Sequence, residues 1–189
     1  VPSSTVSESA VQLTRLTKPV VAGISLPSLR RHRYPSGFLF FKGVSPKLHF
    51  DLIRTIGEGS FGKVHLVEAK RGTHLYDSDS DTEEECQSPQ IAACKVLWIR
   101  PGNGTLSLTE DSIKDEISTM AALNHPNIIK IFRAYKQDRA YNLIMKYAGG
   151  GDLYGRIDAH GKLPAEMAAS TFVDIVSALI YMHSFGIAH

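Results

Sequence analysis

The sequence predicts an α+β fold: a small antiparallel sheet carrying one helix, followed by the first helices of a helical domain. Three observations predict it. Short alternating apolar runs lie on both sides of a glycine-rich turn at 57–62. A strongly apolar run, Ile91–Ile99, supplies a third strand. Beyond it, a helical period is followed by two more short apolar runs and then by helical periodicity alone.

The elements follow in order. Residues 1–47 mix Ser, Thr, Pro and basic residues without sustained periodicity, so a mostly disordered leader is expected, with order beginning near Leu48. Phe50, Leu52 and Ile56, then Val64, Leu66 and Val67, read as two strands joined by the glycine turn. Residues 70–90 are polar and acidic and read as a surface insert. After Ile91–Ile99, Pro101–Gly104 is a loop. Ser107 and Glu110 form a candidate capping box for a helix in which Ile113, Ile117, Met120 and Leu123 recur at helical spacing. On that helix Glu110, Lys114 and Asp115 are expected to face solvent. Pro126 ends it. Residues 128–135 and 141–147 are the fourth and fifth strands, with 136–139 as their hairpin. A short helix starts at Asp152. A long one runs from Pro164 to about Phe185, with Phe172, Ile175, Val176, Leu179 and Met182 on one face.

Composition bounds the class of protein. Hydrophobic residues make up 43% and charged residues 21%, an ordinary balance for a globular chain, and the net charge of +2 names no partner. Charge is unevenly spread: Glu8 is the only acid up to Phe50, whereas 77–85 holds six acids and no base. The basic leader faintly resembles a transit peptide, but a flexible leader is the preferred reading. Two cysteines, Cys86 and Cys94, show no metal spacing and no disulfide framework, so a reducing cytosol or nucleus is expected. No apolar run approaches a membrane span of about 20 residues. Val1 and His189 both look like cuts rather than natural ends.

The segment Gly57-Glu58-Gly59-Ser60-Phe61-Gly62-Lys63-Val64 is the most informative. Three chemistries share Gly-x-Gly-x-x-Gly. A dinucleotide fold needs a helix after the glycines, and here a strand pattern follows. A Walker A loop needs Ser or Thr after Lys63 to hold Mg²⁺, and Val64 has no oxygen. A kinase-type phosphate loop, Gly-x-Gly-x-x-Gly-x-Val, matches at every defined position. Its glycines let the backbone approach phosphates, and Val64 would face an adenine. Lys95 then stands inside an apolar strand, where a lysine is costly without a partner. Glu116 lies next to Ile117 at the edge of the apolar helix face and can reach inward to supply a carboxylate.

Taken together, residues 48–189 resemble the first half of a eukaryotic protein kinase domain. Gly57–Val64 resembles its phosphate loop, and Ala93-Cys94-Lys95 the end of its Val-Ala-Ile-Lys strand. Glu116 precedes His125 by nine residues (125 − 116), as the family's helix C glutamate precedes its His-Pro-Asn-Ile turn, matched here by 125–128. Residues 142–147 resemble the fifth strand and hinge, with Met145 as gatekeeper. Gly150-Gly151-Asp152-Leu153 resembles the Gly-Gly-Glu-Leu segment, and 178–189 the helix entering the catalytic loop, with His189 at the first position of His-Arg-Asp.

The resemblance implies a kinase N lobe, a twisted five-stranded antiparallel sheet plus helix C. The lobe and hinge would occupy 48–148, with the start of a C lobe at 149–189. It implies transfer of the ATP γ-phosphate to protein hydroxyls, with ATP and Mg²⁺ as cofactors. Lys95 and Glu116 would be the catalytic pair. Nucleotide would be held by Ile56, Gly57, Glu58, Gly59, Ser60, Phe61, Gly62, Lys63, Val64, Ala93, Lys95, Met145, Lys146, Ala148 and Asp152. The hinge would act through backbone groups of Lys146 and Ala148, and Asp152 would touch the ribose or a basic substrate residue. No residue here is assigned to a metal. The substrate-facing Asp and the Asp-Phe-Gly that holds Mg²⁺ are expected after His189. Partners implied are a protein substrate and calcium or calmodulin regulation, since the segments at 125–128 and 150–153 most resemble the calcium/calmodulin-dependent serine/threonine group. The alternative is a non-catalytic nucleotide- or partner-binding module.

Departures are few. Lys146 stands where that group usually has Glu, Ala92 replaces Val, and the acidic insert is long. Asp77-x-Asp79-x-Asp81 is not a calcium loop, because Thr82 and Ser88 stand where Gly and Glu are needed. Ser78, Ser80 and Thr82 are expected targets of an acid-directed kinase.

Overall fold

The computed structural model describes residues 34–35, 38–59, 62–75, 90–100 and 108–188. The expectations for the leader before Tyr34, the acidic insert at 76–89, the phosphosites within it and the loop at 101–107 lie outside these residues, as do Ser60, Phe61 and His189.

One mixed sheet of six strands organises the chain, in the order β1-β5-β6-β4-β3-β2. The strands are β1 (Leu39–Lys42), β2 (Phe50–Gly59), β3 (Gly62–Ala69), β4 (Ile91–Trp98), β5 (Ile131–Gln137) and β6 (Ala140–Lys146). The helices are α1 (Glu110–Ala122), α2 (Leu153–His160) and α3 (Ala165–Ser184). Strands β2 to β6 form the expected five-stranded antiparallel array. The sixth strand is a correction, because order begins before Leu48. Strand β1 pairs in parallel with β5, Leu39 opposite Arg133 and Lys42 opposite Lys136. Its Phe41 stacks on Tyr135, ring centres 4.8 Å apart, so an aromatic contact covers what would otherwise be an open sheet edge.

Strand β4 is central, and its alternation decides which face is which. Ala92, Cys94 and Val96 point to one face, where Phe50, Val67, Phe132 and Ile144 gather. Burial pushes the free Cys94 thiol up to about 12. Ala93 and Leu97 point to the other face and meet Ile113 and Ile117 of α1, both fully buried. Those two isoleucines contribute roughly 3–6 kcal/mol of apolar burial together, so α1 is held to the sheet chiefly by them.

Helix α1 starts two residues later than the capping box places it. Its N-cap is Thr109, whose hydroxyl accepts from the Ser112 N–H at 3.1 Å. After the helix, His125 Nδ1 accepts from the Asn127 N–H at 3.2 Å, which leaves Nε2 to donate to Ser177 Oγ of α3 at 3.2 Å. The Asn124 N–H also donates to the Tyr181 hydroxyl at 3.1 Å. Helix α3 therefore hangs from the turn that follows α1. Strand β5 begins at Ile131 rather than 128, and the β5–β6 turn is tight, with Asp138 at φ 52°.

Helix α3 has 20 residues and is long and apolar enough to cross a membrane by length and composition alone, a test that core helices of soluble proteins also pass. Phe172, Val173, Ile175 and Ile180 on it are exposed, and only Met182 is buried.

Candidate nucleotide site

The site is built by register. Gly57, Val64, Lys95 and Leu143 lie opposite one another in a row across β2, β3, β4 and β6. Two pairs along, and so on the same face, Ala93 lies opposite Met145. Ile56, Val64, Ala93 and Met145 belong to the same apolar cluster as Ile113 and Ile117. Lys95 shares this face because it alternates with Cys94 and Val96.

Helix α1 lies on that same face and brings Glu116 to Lys95, with Nζ to Oε1 at 2.8 Å. Both side chains keep about a third of their surface, at 35% and 36%. A pair this exposed contributes about 1 kcal/mol or less to folding. The fold does not depend on it.

Further along the same pair of strands, Gly59 of β2 lies opposite Gly62 of β3. Lys63 and Glu58 face each other across this hairpin and pair at 3.1 Å. Gly62 sits against β4 so closely that a Cβ would lie 1.7 Å from the Val96 carbonyl oxygen. Gly59 is different, since among the described residues nothing lies within 4 Å of where its Cβ would be. The hairpin needs a glycine at 62, whereas at 59 it leaves open space.

At the end of β6, Met145 is buried, while Lys146 and Ala148 are exposed. The Lys146 N–H donates to the Lys130 carbonyl at 2.8 Å. Asp152 caps α2, its Oδ1 accepting from the Gly155 N–H at 2.6 Å, which gives that residue a local structural task. A hollow of about 260 Å³ on the opposite sheet face, lined by Phe50, Val67, Cys94 and Ile144, carries neither Lys95 nor Glu116.

One group escaped the sequence reading. Glu110 and Lys114 do not simply face solvent. The Glu110 carboxylate accepts from Lys136 Nζ at 2.5 Å, from the Tyr141 hydroxyl at 3.1 Å, and pairs with Lys114 at 2.9 Å. The Lys136 and Lys114 bonds hold its carboxyl at about 2, against partial desolvation and with help from Tyr141. Tyr141 is fully buried, and desolvation and Glu110 push its phenol up. The i,i+4 spacing of Glu110 and Lys114 was visible in the sequence, but the partners 26 and 31 residues away were not.

The model of the family described as "Protein kinase domain" matches residues 82–189, more than half of the chain. The chain belongs to the protein kinase domain family. The match includes Lys95 and Glu116 and begins after the glycine loop. The human serine/threonine-protein kinase DCLK3 is 30% identical over 166 residues, 86% of this chain and 22% of its own length. CBL-interacting protein kinase 32 of Oryza sativa subsp. japonica is 29% identical over 140 residues, 74% of this chain and 28% of its own. These spans leave too few residues outside them to exclude the glycine loop. This kinase chain thus spans under a third of the length of each of these relatives. Kinases of the family in general use ATP and Mg²⁺ and act on protein substrates. The α+β fold, an antiparallel five-stranded array with one helix leading into further helices, is that of the kinase N lobe and the start of the C lobe.

Proposed function

We propose that these residues are the ATP-holding part of a serine/threonine protein kinase that transfers the γ-phosphate to protein hydroxyls. The observation that carries this reading is the Lys95–Glu116 pair at 2.8 Å, beside Val64 of the glycine-loop strand, which lies opposite Lys95. Ile56, Val64, Ala93 and Met145 supply an apolar wall for a flat heterocycle. The open space at Gly59 lets backbone N–H groups approach phosphates. Glu116 orients the Lys95 ammonium toward α- and β-phosphate oxygens. The carbonyl of Lys146 and the N–H of Ala148 are the hinge groups offered to the base. Bound Mg²⁺ would neutralise developing phosphate charge, through ligands that the resemblance assigns beyond residue 189. The exposed apolar side of α3 suits cover by the remainder of a helical C lobe.

Lys95→Met in the full-length protein is the test. Mg-ATP should raise the melting temperature of the parent and leave the variant within error of its nucleotide-free value. Equal shifts in both would remove Lys95 from the site and with it this reading. The finer placement in the calcium-regulated group rests on residues 125–128 and 150–153. Regulation by a partner protein is also suggested by a relative whose name says it interacts with CBL. Phosphoryl transfer insensitive to calcium and to chelator would count against the calcium placement.

A further inference from the structure

Helix α1 is fixed to the sheet by Ile113 and Ile117, and apolar contact of this kind is not directional. It sets how close the helix lies, not how it is turned about its own axis. Glu110 and Glu116 settle the turn. At about 100° per residue they fall about 60° to either side of Ile113, flanking the buried stripe. Each meets a lysine from a different strand: Glu116 meets Lys95 of β4, and Glu110 meets Lys136 of β5. Rotating the helix in either direction lifts one of the two carboxylates away from its lysine and drives the other out of its bonding position. The Glu110 grip is the firmer of the two, because the same carboxylate also receives the buried Tyr141 hydroxyl and the Lys114 ammonium.

We propose that Glu110 is a positioning residue for nucleotide binding, a latch on Lys136 and Tyr141 that sets the rotation of α1 and so holds Glu116 at Lys95. The proposal rests on the nucleotide reading of the Lys95–Glu116 pair and assigns Glu110 no contact with nucleotide.

The test is a double-substitution cycle in the full-length protein, reading the Kd for Mg-ATP together with the melting temperature. Glu110→Gln should raise the Kd roughly 3- to 10-fold, and Glu116→Gln should raise it at least as much. The double variant should bind within about twofold of Glu116→Gln alone, because a latch has nothing to position once Glu116 has lost its charge. Lys136→Met should reproduce the binding loss from the strand side, and Lys136→Arg should restore most of it. A residue that serves only stability would lower the melting temperature and leave the Kd ratio multiplicative. An unchanged Kd in Glu116→Gln would overturn the nucleotide reading itself. Weakened binding in Glu116→Gln, with Glu110→Gln neutral or with effects that multiply in the double variant, would overturn the latch alone.

Discussion

Two glycines three residues apart answer to different demands. At Gly62 the demand is internal, since any Cβ would overlap the Val96 carbonyl. Gly62→Ala should therefore cost about 1–3 kcal/mol and lower the melting temperature with or without nucleotide. At Gly59 no contact among the described residues requires glycine, so Gly59→Ala should leave the nucleotide-free melt unchanged and weaken Mg-ATP binding. Calorimetry on the two variants checks both, and a large loss of stability at Gly59 would show the loop to be glycine-rich for its own sake. The pattern of the loop was legible in the sequence, but this division was not, because it depends on how closely β4 approaches one glycine and not the other. Lys95 and Glu116 were also legible, one as a charge in an apolar strand and the other as a carboxylate at the edge of an apolar stripe. Glu110 was misread because helical spacing places it beside the stripe without revealing that Lys136 and Tyr141 lie opposite.

At the level of elements, the antiparallel strands were readable because hairpins leave turn residues between alternating runs. Strand β1 was not. Phe38–Phe41 is an unbroken cluster without alternation, and a parallel partner far along the chain leaves no turn signal. The start of α1 slipped because Ser107 and Thr109 are both acceptable caps, and only geometry chooses Thr109. The way α1 is held predicts a pH dependence. The Glu110 carboxyl lies at about 2 in the fold, below its ordinary 4.5. A depressed carboxyl gives stability that is present above the ordinary value and is lost as pH falls toward the folded one. The parent should thus lose melting temperature more steeply between pH 4.5 and pH 2 than Glu110→Gln does. Salt should shrink the difference, since the Glu110 side chain is 37% exposed. Parallel curves for the two proteins would show that the carboxylate contributes nothing to holding the helix.

For the molecule as a whole, the sheet, α1 and the turn at 125–128 form one mechanical unit. The sheet sets the lysine, α1 sets the glutamate, and His125 and Asn124 tie α3 to the same corner. The exposed apolar side of α3 was legible as an amphipathic stripe, but what covers it is not encoded in the stripe. The central claim is that Lys95 faces the phosphates of a bound nucleotide. An acyl-phosphate analogue of ATP, which hands its acyl group to a lysine amine lying against the phosphates, tests that claim on the full-length protein. Peptide mass spectrometry should find the acyl group on Lys95, and excess Mg-ATP should suppress it. Acylation spread over surface lysines such as Lys42, Lys130 and Lys162, with Lys95 unmodified or indifferent to Mg-ATP, would contradict the account.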